Sequence, residues 1–330
     1  MAGDEPILTE PSIAHRYTVY PIKPGYERIF ELYKILLANF WTVEEVDCEL
    51  DIRAFRKLSQ DEQRFVKVTL SFFAAADGIV AQNCLSVFSA EVKESSVLQA
   101  YAVQAQQEAV HAEQYSLLIM NLIPDSEERN KLFTAIERRE YPSIKRKADW
   151  CFENMDPSIP FARRLIAFGC TEMIHFSSSF ASIYYLKSRG IDMPGLITSN
   201  GFIARDEGTH CRLAAEIYRT LVNKLSLEDV HKIIKDAVNI EKEFCCDGLP
   251  VSIIGLNKES MCEHVEFVAD KLCEMLCVDK VYNTPEPFHW FETICQETKV
   301  SFFEHRLDGY AKLNTLASAE DKQFSLDSEF

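Results

Sequence analysis

Two acidic residues lie in the middle of nearly apolar stretches of the chain. Asp77 lies within residues 68–88, and Glu172 lies within residues 165–186. An ionised carboxylate removed from water is costly unless it is paired with a cation or binds a metal. For one such residue a buried ion pair is the ordinary explanation. An acid near the centre of each stretch argues against a membrane span and favours helices buried on all sides.

The pattern Glu-x-x-His occurs five times in the chain. Residues three apart share one face of a helix, so the carboxylate and the imidazole can reach one metal ion. Two of the five pairs do not suit this geometry. One falls in a first helical turn, where it is expected to face solvent, and the other is interrupted by a proline. The excluded pairs are Glu228 with His231 and Glu286 with His289.

The remaining residues form a repeat, in which one buried acid is followed by one Glu-x-x-His pair. The interval between them accommodates the rest of one helix, a turn and a returning helix. Four helices would then direct four carboxylates and two imidazoles to one interior point, the ligand set of ferritin-like dinuclear carboxylate bundles. Oxygen and nitrogen donors suit iron or manganese. The predicted metal ligands are Asp77, Glu108, His111, Glu172, Glu207 and His210.

Two further residues lie one helical turn or less from a predicted ligand. Tyr115 follows His111 by four residues on the same helix face. A core tyrosine is the ordinary interpretation, but a redox-active metal pair nearby would permit one-electron chemistry at the ring. His175 follows Glu172 by three residues. It could be an extra ligand, a hydrogen-bond donor to a ligand or a core histidine with a hydrogen-bond partner, and we favour the core histidine.

The elements that position these residues are expected to be helices, so the chain is predicted to be all-α. It has only 11 glycines and 12 prolines, with none of the prolines between residues 24 and 124 or between 194 and 250. Because an interior proline costs a helix about 3 kcal/mol, such tracts suit long helices. Residues Ser59, Asp125 and Ser226 have the spacing of helix starts, and Arg189-Gly190 marks a helix end.

The same signals indicate one helical domain over residues 19–292. Residues 1–18 are predicted to form an extended N-terminal arm. Residues 293–330 lose helical periodicity and end in a polar sequence, so they are predicted to form a flexible C-terminal tail.

The charge and cysteine content exclude several classes of function. With 35 basic and 51 acidic residues, the net charge of −16 argues against a nucleic-acid or membrane-surface binder. The eleven cysteines contain no Cys-x-x-Cys motif, so neither a zinc ribbon nor a disulfide framework is indicated. No secretory signal is recognised at the N-terminus. We therefore expect a protein of a reducing compartment, the cytoplasm.

Taken together, these motifs resemble the small, radical-generating subunit of class I ribonucleotide reductase, of the eukaryotic and viral type. The resemblance extends from about residue 16 to the C-terminus. It is carried by residues 40–47, 72–80, 108–118, 180–190, 204–211 and 324–330.

The resemblance implies two iron ions per chain, with manganese as the alternative metal. The six ligands would divide into two sets of three, with Asp77, Glu108 and His111 on one ion and Glu172, Glu207 and His210 on the other. Tyr115 matches the tyrosine that becomes a stable radical when the diferrous site reacts with molecular oxygen. An apolar pocket shields this radical in the family, and the matching residues are Phe176, Phe180 and Ile203.

The resemblance also implies a long-range radical relay and a partner. Trp41, Asp206 and Tyr310 match relay positions, with Asp206 expected to hydrogen-bond His111. The last residues, Phe324–Phe330, would dock on the large catalytic subunit, which reduces ribonucleoside diphosphates to deoxyribonucleotides. The small subunit would be a homodimer without a nucleotide site of its own.

Two alternatives share the predicted fold. The first is a ferritin-like di-iron oxidase or iron-storage bundle, and Trp41, Tyr310 and the C-terminal Phe330 argue against iron storage. The second is a paralogous partner subunit that makes no radical. Its signature would be a lost ligand or a replaced tyrosine, and the sequence has neither.

Overall fold

The computed structural model describes residues 5–9, 18–137, 141–248 and 251–291, and within these ranges every regular element is helical, which confirms the all-α prediction. The predicted Tyr310 and Phe324–Phe330 lie outside the described residues. The α-helices are α1 Glu27–Ala38, α2 Glu49–Phe55, α3 Gln60–Gln82, α4 Ser89–Glu91, α5 Ser95–Leu122, α6 Ser126–Phe133, α7 Pro142–Met155, α8 Phe161–Ser188, α9 Pro194–Thr220, α10 Leu227–Glu243 and α11 Lys258–Leu276.

Shorter elements connect these helices. Two π-helical segments, Asn83–Phe88 and Phe244–Gly248, directly follow α3 and α10. Single 3-10 turns are formed by Pro6–Leu8, Val43–Glu45, Ala135–Glu137 and Val251–Ile254. The first of these turns lies within the predicted N-terminal arm, and its Ile7 is buried in the hydrophobic core.

Four long helices form the centre of the molecule. Helix α3 packs on α5, and α8 packs on α9, while α5 contacts α9 and α3 contacts α8. The remaining helices cover this bundle, with α1 against α5 and α9, and with α7, α10 and α11 against α8. The four central helices are the ones that carry the predicted metal ligands.

Side-chain caps begin the helices at the predicted positions. Ser59 accepts a hydrogen bond from the Glu62 backbone N–H, and the Glu62 carboxylate accepts one from the Ser59 backbone N–H. The side chains of Asp125 and Ser226 likewise accept from backbone N–H groups at the starts of α6 and α10. Helix α8 ends as predicted, with Gly190 at a φ of 78°, where glycine has no side chain to clash.

The helical stretch Gln60–Glu91 is long and apolar enough to cross a membrane by composition alone. However, 67% of its most apolar window is buried inside the protein. Asp77 also lies near its middle and is itself buried. Burial in the protein core accounts for the apolar composition of this stretch.

Helix α9 is anchored at its N-terminus by an acid from a distant part of the chain. The buried carboxylate of Asp51, on α2, accepts hydrogen bonds from the backbone N–H groups of Gly195 at 2.9 Å and Leu196 at 2.6 Å. The negative charge also complements the positive end of the helix dipole. A Cβ at position 195 would lie 2.8 Å from the Asp47 carbonyl oxygen, so glycine permits the close approach.

We expect Asp51→Ala to lower the free energy of unfolding by about 2 kcal/mol, because it leaves two buried N–H groups unpaired at the start of α9. Urea denaturation measures this change. Glu49→Ala is the matched control, because Glu49 lies in the same helix with its side chain 76% exposed. Equal losses in the two variants would contradict the anchoring role.

Candidate metal centre

The structure brings the six predicted ligands together in the middle of the bundle, and each is at most 1% exposed. Their ligand atoms form two groups, and within each group all atoms lie within 4.8 Å of one another. Helix α3 supplies one acid, α5 a Glu-x-x-His pair, α8 one acid and α9 the second pair. The groups are Asp77, Glu108 and His111, and Glu108, Glu172, Glu207 and His210.

Glu108 belongs to both groups, and the spacing of the sequence does not predict this. Its Oε1 lies 2.9 Å from Nδ1 of His210, and its Oε2 lies 3.4 Å from Nδ1 of His111. A carboxylate with one oxygen toward each group would be able to hold an ion in either group. Glu207 also reaches across, with its Oε1 2.9 Å from Nδ1 of His111.

Several of these buried atoms have no hydrogen-bond partner. They include both oxygens of Asp77, both oxygens of Glu108, Nδ1 of His111, Oε2 of Glu172 and Oε1 of Glu207. Buried polar atoms in proteins are normally bonded. Here the residues that carry these atoms offer ligand atoms that lie within 4.8 Å of one another in each group. Their oxygen and nitrogen chemistry suits iron or manganese, so these residues fit a dimetal site.

Burial and mutual repulsion disturb the protonation of the cluster. Burial, followed by the Glu108 charge, raises the pKa values of Asp77 and Glu207 well above their usual range. Against the effect of burial, the neighbouring carboxylates of Glu108 and Glu172 raise the pKa of His210 to about 10. Burial also opposes the ionisation of Glu108, but His210 and His111 lower its pKa to about 2. The cluster thus retains protons that metal ions would have to displace.

We expect metal binding at this site to release protons and to weaken as the pH falls. The carboxyls with raised pKa values and the protonated imidazoles must lose their protons before they can coordinate an ion. Anaerobic calorimetric titration with Fe²⁺, in buffers of different ionisation enthalpy at about pH 6 and about pH 8, measures proton release and affinity. Binding that releases no protons and has the same affinity at both pH values would contradict this expectation.

Two glutamines of α5 support the ligands from outside. Gln104 donates a hydrogen bond from Nε2 to Oε1 of Glu172 at 2.7 Å. Gln107 places its Oε1 3.0 Å from Nε2 of His210 and donates from Nε2 to the Leu36 carbonyl at 3.2 Å. Such contacts orient a ligand and select its tautomer. These residues were not predicted, although each precedes a predicted ligand of the same helix by four residues.

We expect Gln107→Leu to weaken metal binding roughly tenfold, because His210 loses the partner that orients its ring. Metal content after equilibrium dialysis measures the loss. Gln106→Leu is the control, because Gln106 is exposed on the same helix. If both variants retain the metal equally, Gln107 does not orient the ligand.

A hydrogen-bonded path leads from the cluster to Trp41. The Trp41 indole donates from Nε1 to Oδ2 of Asp206 at 2.8 Å, and the same oxygen lies 3.3 Å from Nε2 of His111. The expected contact between Asp206 and His111 is therefore present. Arg205 holds the other carboxylate oxygen of Asp206 at 2.9 Å. Burial opposes ionisation, but Arg205 and then His111 lower the pKa of Asp206, so this carboxylate remains an acceptor.

Tyr115 lies in an aromatic environment. It is fully buried, its hydroxyl has no hydrogen-bond partner, and its ring stacks on Phe73 with centroids 4.5 Å apart. Phe73 in turn contacts the predicted pocket residues Phe176 at 5.7 Å and Phe180 at 5.1 Å. The third predicted pocket residue, Ile203, is also buried. Burial, followed by the Asp77 charge, raises the pKa of the Tyr115 phenol well above its usual range.

Phe73 was not predicted to contact Tyr115. The available signal is its position four residues before Asp77 on α3, which places it one turn from a predicted ligand. The sequence does not show which ring of the neighbouring helix it meets.

His175 belongs to neither ligand group. It is buried on α8 and packs edge-to-face against Trp150, with ring centroids 4.9 Å apart. Burial, followed by the nearby Lys147 charge, lowers the pKa of His175 well below its usual range. A neutral histidine among core side chains agrees with the position that we favour from the sequence, but neither ring nitrogen has the expected hydrogen-bond partner among the described residues.

The two excluded Glu-x-x-His pairs lie elsewhere. His231 lies in the first turns of α10, with its Nε2 2.7 Å from the Asp279 carbonyl oxygen. Glu286 lies outside a helix and contacts Nδ1 of His264 at 2.9 Å. None of these residues belongs to the ligand groups found among the described residues.

Comparison with known proteins agrees with the geometry. The family model described as ribonucleotide reductase, small chain, matches residues 16–287. The chain is 43% identical to the ribonucleoside-diphosphate reductase small chain of Nicotiana tabacum, over 99% of this chain and 98% of that one. It is 46% identical to the small chain of Vaccinia virus (strain Ankara), over 99% and 100%.

A solved structure shows the same architecture. The ribonucleotide reductase Rnr4 homodimer from Saccharomyces cerevisiae superposes with a TM-score of 0.77 at 30% sequence identity, over 89% of this chain and 93% of that chain. This likeness confirms the predicted ferritin-like helical fold. From the family match, the full-length relatives and the shared fold, the chain belongs to the small-chain family of ribonucleotide reductase.

Proposed function

We propose that this chain is the radical-generating small subunit of a ribonucleoside-diphosphate reductase, an oxidoreductase that converts ribonucleotides to deoxyribonucleotides for DNA synthesis. The observation that carries the proposal is the convergence of six buried ligand side chains, whose carboxylates are near enough to raise the pKa of the buried Tyr115 phenol. When bound, the metal pair supplies, through its reaction with oxygen, the oxidising power to remove one electron from a phenol. Residues of the chain would hold the metal ions, provide the phenol, shield it and relay the oxidising equivalent.

Asp77, Glu108 and His111 would hold one ion, and Glu172, Glu207 and His210 the other. The position of Glu108 in both ligand groups supports its sharing between the two ions. We propose two iron ions per chain, since a donor set of carboxylates and imidazoles suits this metal. The same donors also suit manganese, so metal analysis of the active protein distinguishes the two.

Tyr115 is proposed as the residue that is oxidised. Loss of one electron and one proton from its hydroxyl leaves a neutral phenoxyl radical, which persists only where water and reductants are kept away. The stacked ring of Phe73 and the adjoining Phe176 and Phe180 provide an apolar surround. The lack of a hydrogen-bond partner on the hydroxyl supports a role other than structural anchoring.

The path from Trp41 through Asp206 to His111 is proposed to relay the oxidising equivalent. Asp206 accepts from the indole and contacts the imidazole with the same oxygen, so it couples the two rings. Tyr310 is proposed to continue the path toward the large subunit. The Phe324–Phe330 segment, in which apolar anchors alternate with acids, is proposed to dock in an apolar groove of that partner.

The subunit is proposed to act as a homodimer, like the Rnr4 protein of Saccharomyces cerevisiae in its solved structure. An iron-storage bundle would have no use for the hydrogen-bonded path to Trp41. A partner subunit without a radical is disfavoured because all six ligand positions and Tyr115 are present. A di-iron oxidase without a stored radical is the alternative that spectroscopy must test.

We expect anaerobic loading with Fe²⁺, followed by oxygen, to produce a tyrosyl radical in the electron paramagnetic resonance spectrum. Tyr115→Phe should abolish the signal while the protein still binds iron, because the variant lacks only the phenol oxygen. Tyr101→Phe is the matched control, because Tyr101 is fully buried on the same helix and should leave the signal intact.

Each part of the proposal can fail separately in this experiment. Bound iron without a tyrosyl signal in the unaltered protein would favour the oxidase. A signal that persists in Tyr115→Phe would place the radical on another residue. A protein that binds no metal would contradict the dimetal site itself.

A further inference from the structure

Three thiols lie close together between the C-terminal end of α10 and the N-terminal end of α11. Cys245 and Cys246 are neighbours in the π-helical segment Phe244–Gly248, and Cys262 lies in the first turns of α11. The Sγ atoms of Cys246 and Cys262 are 3.3 Å apart, and those of Cys245 and Cys246 are 3.8 Å apart. None of these residues contributes to the proposed metal centre or to the radical path.

The distance between Cys246 and Cys262 is short enough for bond formation. A disulfide has a sulfur–sulfur length of about 2.0 Å, so the two sulfurs must approach by little more than 1 Å. Small rotations of the two side chains can supply this movement. Cys245 is less suited to pair with Cys246, because a bond between sequence neighbours closes a small and strained ring.

The reactivity of the three thiols differs. Hydrogen bonding from the Cys245 thiol lowers the pKa of Cys262 to about 6. Partial burial opposes this effect, whereas a hydrogen bond from Cys246 and the charges of Lys242 and Lys258 add to it. The lowered pKa favours the thiolate form of the half-buried Cys262, and the thiolate is the reactive form of cysteine. Hydrogen bonding to its neighbours raises the pKa of Cys245 well above the usual range, so Cys245 keeps its proton.

We propose that Cys262 and Cys246 form a redox-active pair that hydroperoxides convert to a reversible disulfide, with Cys262 as the attacking thiolate. The substrate class is the small hydroperoxides, of which hydrogen peroxide is the simplest. The pair constitutes an oxidative modification site that is separate from the metal centre.

The reaction takes place in two balanced steps. The Cys262 thiolate attacks one oxygen of hydrogen peroxide, so an S–O bond forms, the O–O bond breaks and the leaving hydroxide takes up a proton as water. The Cys246 sulfur then attacks the Cys262 sulfenic acid, so the S–S bond forms, the S–O bond breaks and the thiol proton departs with hydroxide as a second water. Two thiol sulfurs lose two electrons in total, and the peroxide gains them. An external dithiol reverses the change.

The disulfide would cross-link this region and raise its thermal stability. It would join the segment that follows α10 to the beginning of α11 and close a loop around residues 247–261. A cross-link restricts the unfolded chain, so the oxidised protein should unfold at a higher temperature than the reduced protein.

The test exposes the full-length protein to a small excess of hydrogen peroxide and then blocks the remaining thiols. Tryptic peptide mapping by mass spectrometry, with and without reduction, should find the peptide of residues 243–258 linked to that of residues 259–271. The link should form in the unaltered protein, in Cys245→Ser and in the control Cys277→Ser. It should be absent from Cys246→Ser and Cys262→Ser, and all these conservative variants should show unchanged circular dichroism.

A second measurement tests the attacking thiol. Iodoacetamide near neutral pH should label Cys262 at least about tenfold faster than Cys151, which is also half-buried but whose pKa burial raises to about 11. A disulfide between Cys245 and Cys246, a link that survives in Cys246→Ser, or equal labelling of Cys262 and Cys151 would overturn the proposal. These results do not depend on the proposed reductase function, because no readout uses the metal or the radical.

Discussion

The structure depends on one electrostatic constraint, which is that four carboxylates share a buried space between four helices. Their mutual repulsion and the loss of hydration oppose folding. Two imidazoles in contact with them provide partial compensation, as the low pKa of Glu108 and the high pKa of His210 indicate. The negative charge of the carboxylates that the imidazoles do not compensate is what a pair of divalent ions would neutralise. The buried acids therefore explain both the free-energy cost of folding around this site and the ability of the site to bind metal ions.

The surrounding fold holds the ligands from outside the cluster. Gln107 contacts His210, and Asp206 contacts His111, so the far nitrogen of each imidazole has a partner on another helix. Asp51 fixes the start of α9, the helix that supplies one of the Glu-x-x-His pairs. The long apolar helices bury the cluster, and a few buried polar contacts fix the rotation and position of each helix.

The two side chains that are proposed to react, Tyr115 and Cys262, occupy opposite environments in this chain. Tyr115 is held among aromatic rings with no hydrogen-bond partner, which suits an oxidised state that must be protected. Cys262 is only half-buried, and neighbouring thiols and lysines favour its anionic form, which suits direct reaction with a solute. The difference follows from burial and local charge.

The sequence by itself determined the helical class, the capped helix starts at Ser59, Asp125 and Ser226, and the six candidate ligands. These features are local, because a cap or a Glu-x-x-His pair is defined within one helical turn, and an acid in an apolar run is conspicuous anywhere. Only the tertiary structure decided that Glu108 faces both ligand groups, that Gln107 supports His210, and that Phe73 stacks on Tyr115. Those contacts join helices far apart in sequence, so they depend on helix rotation and packing distance, which no local pattern records.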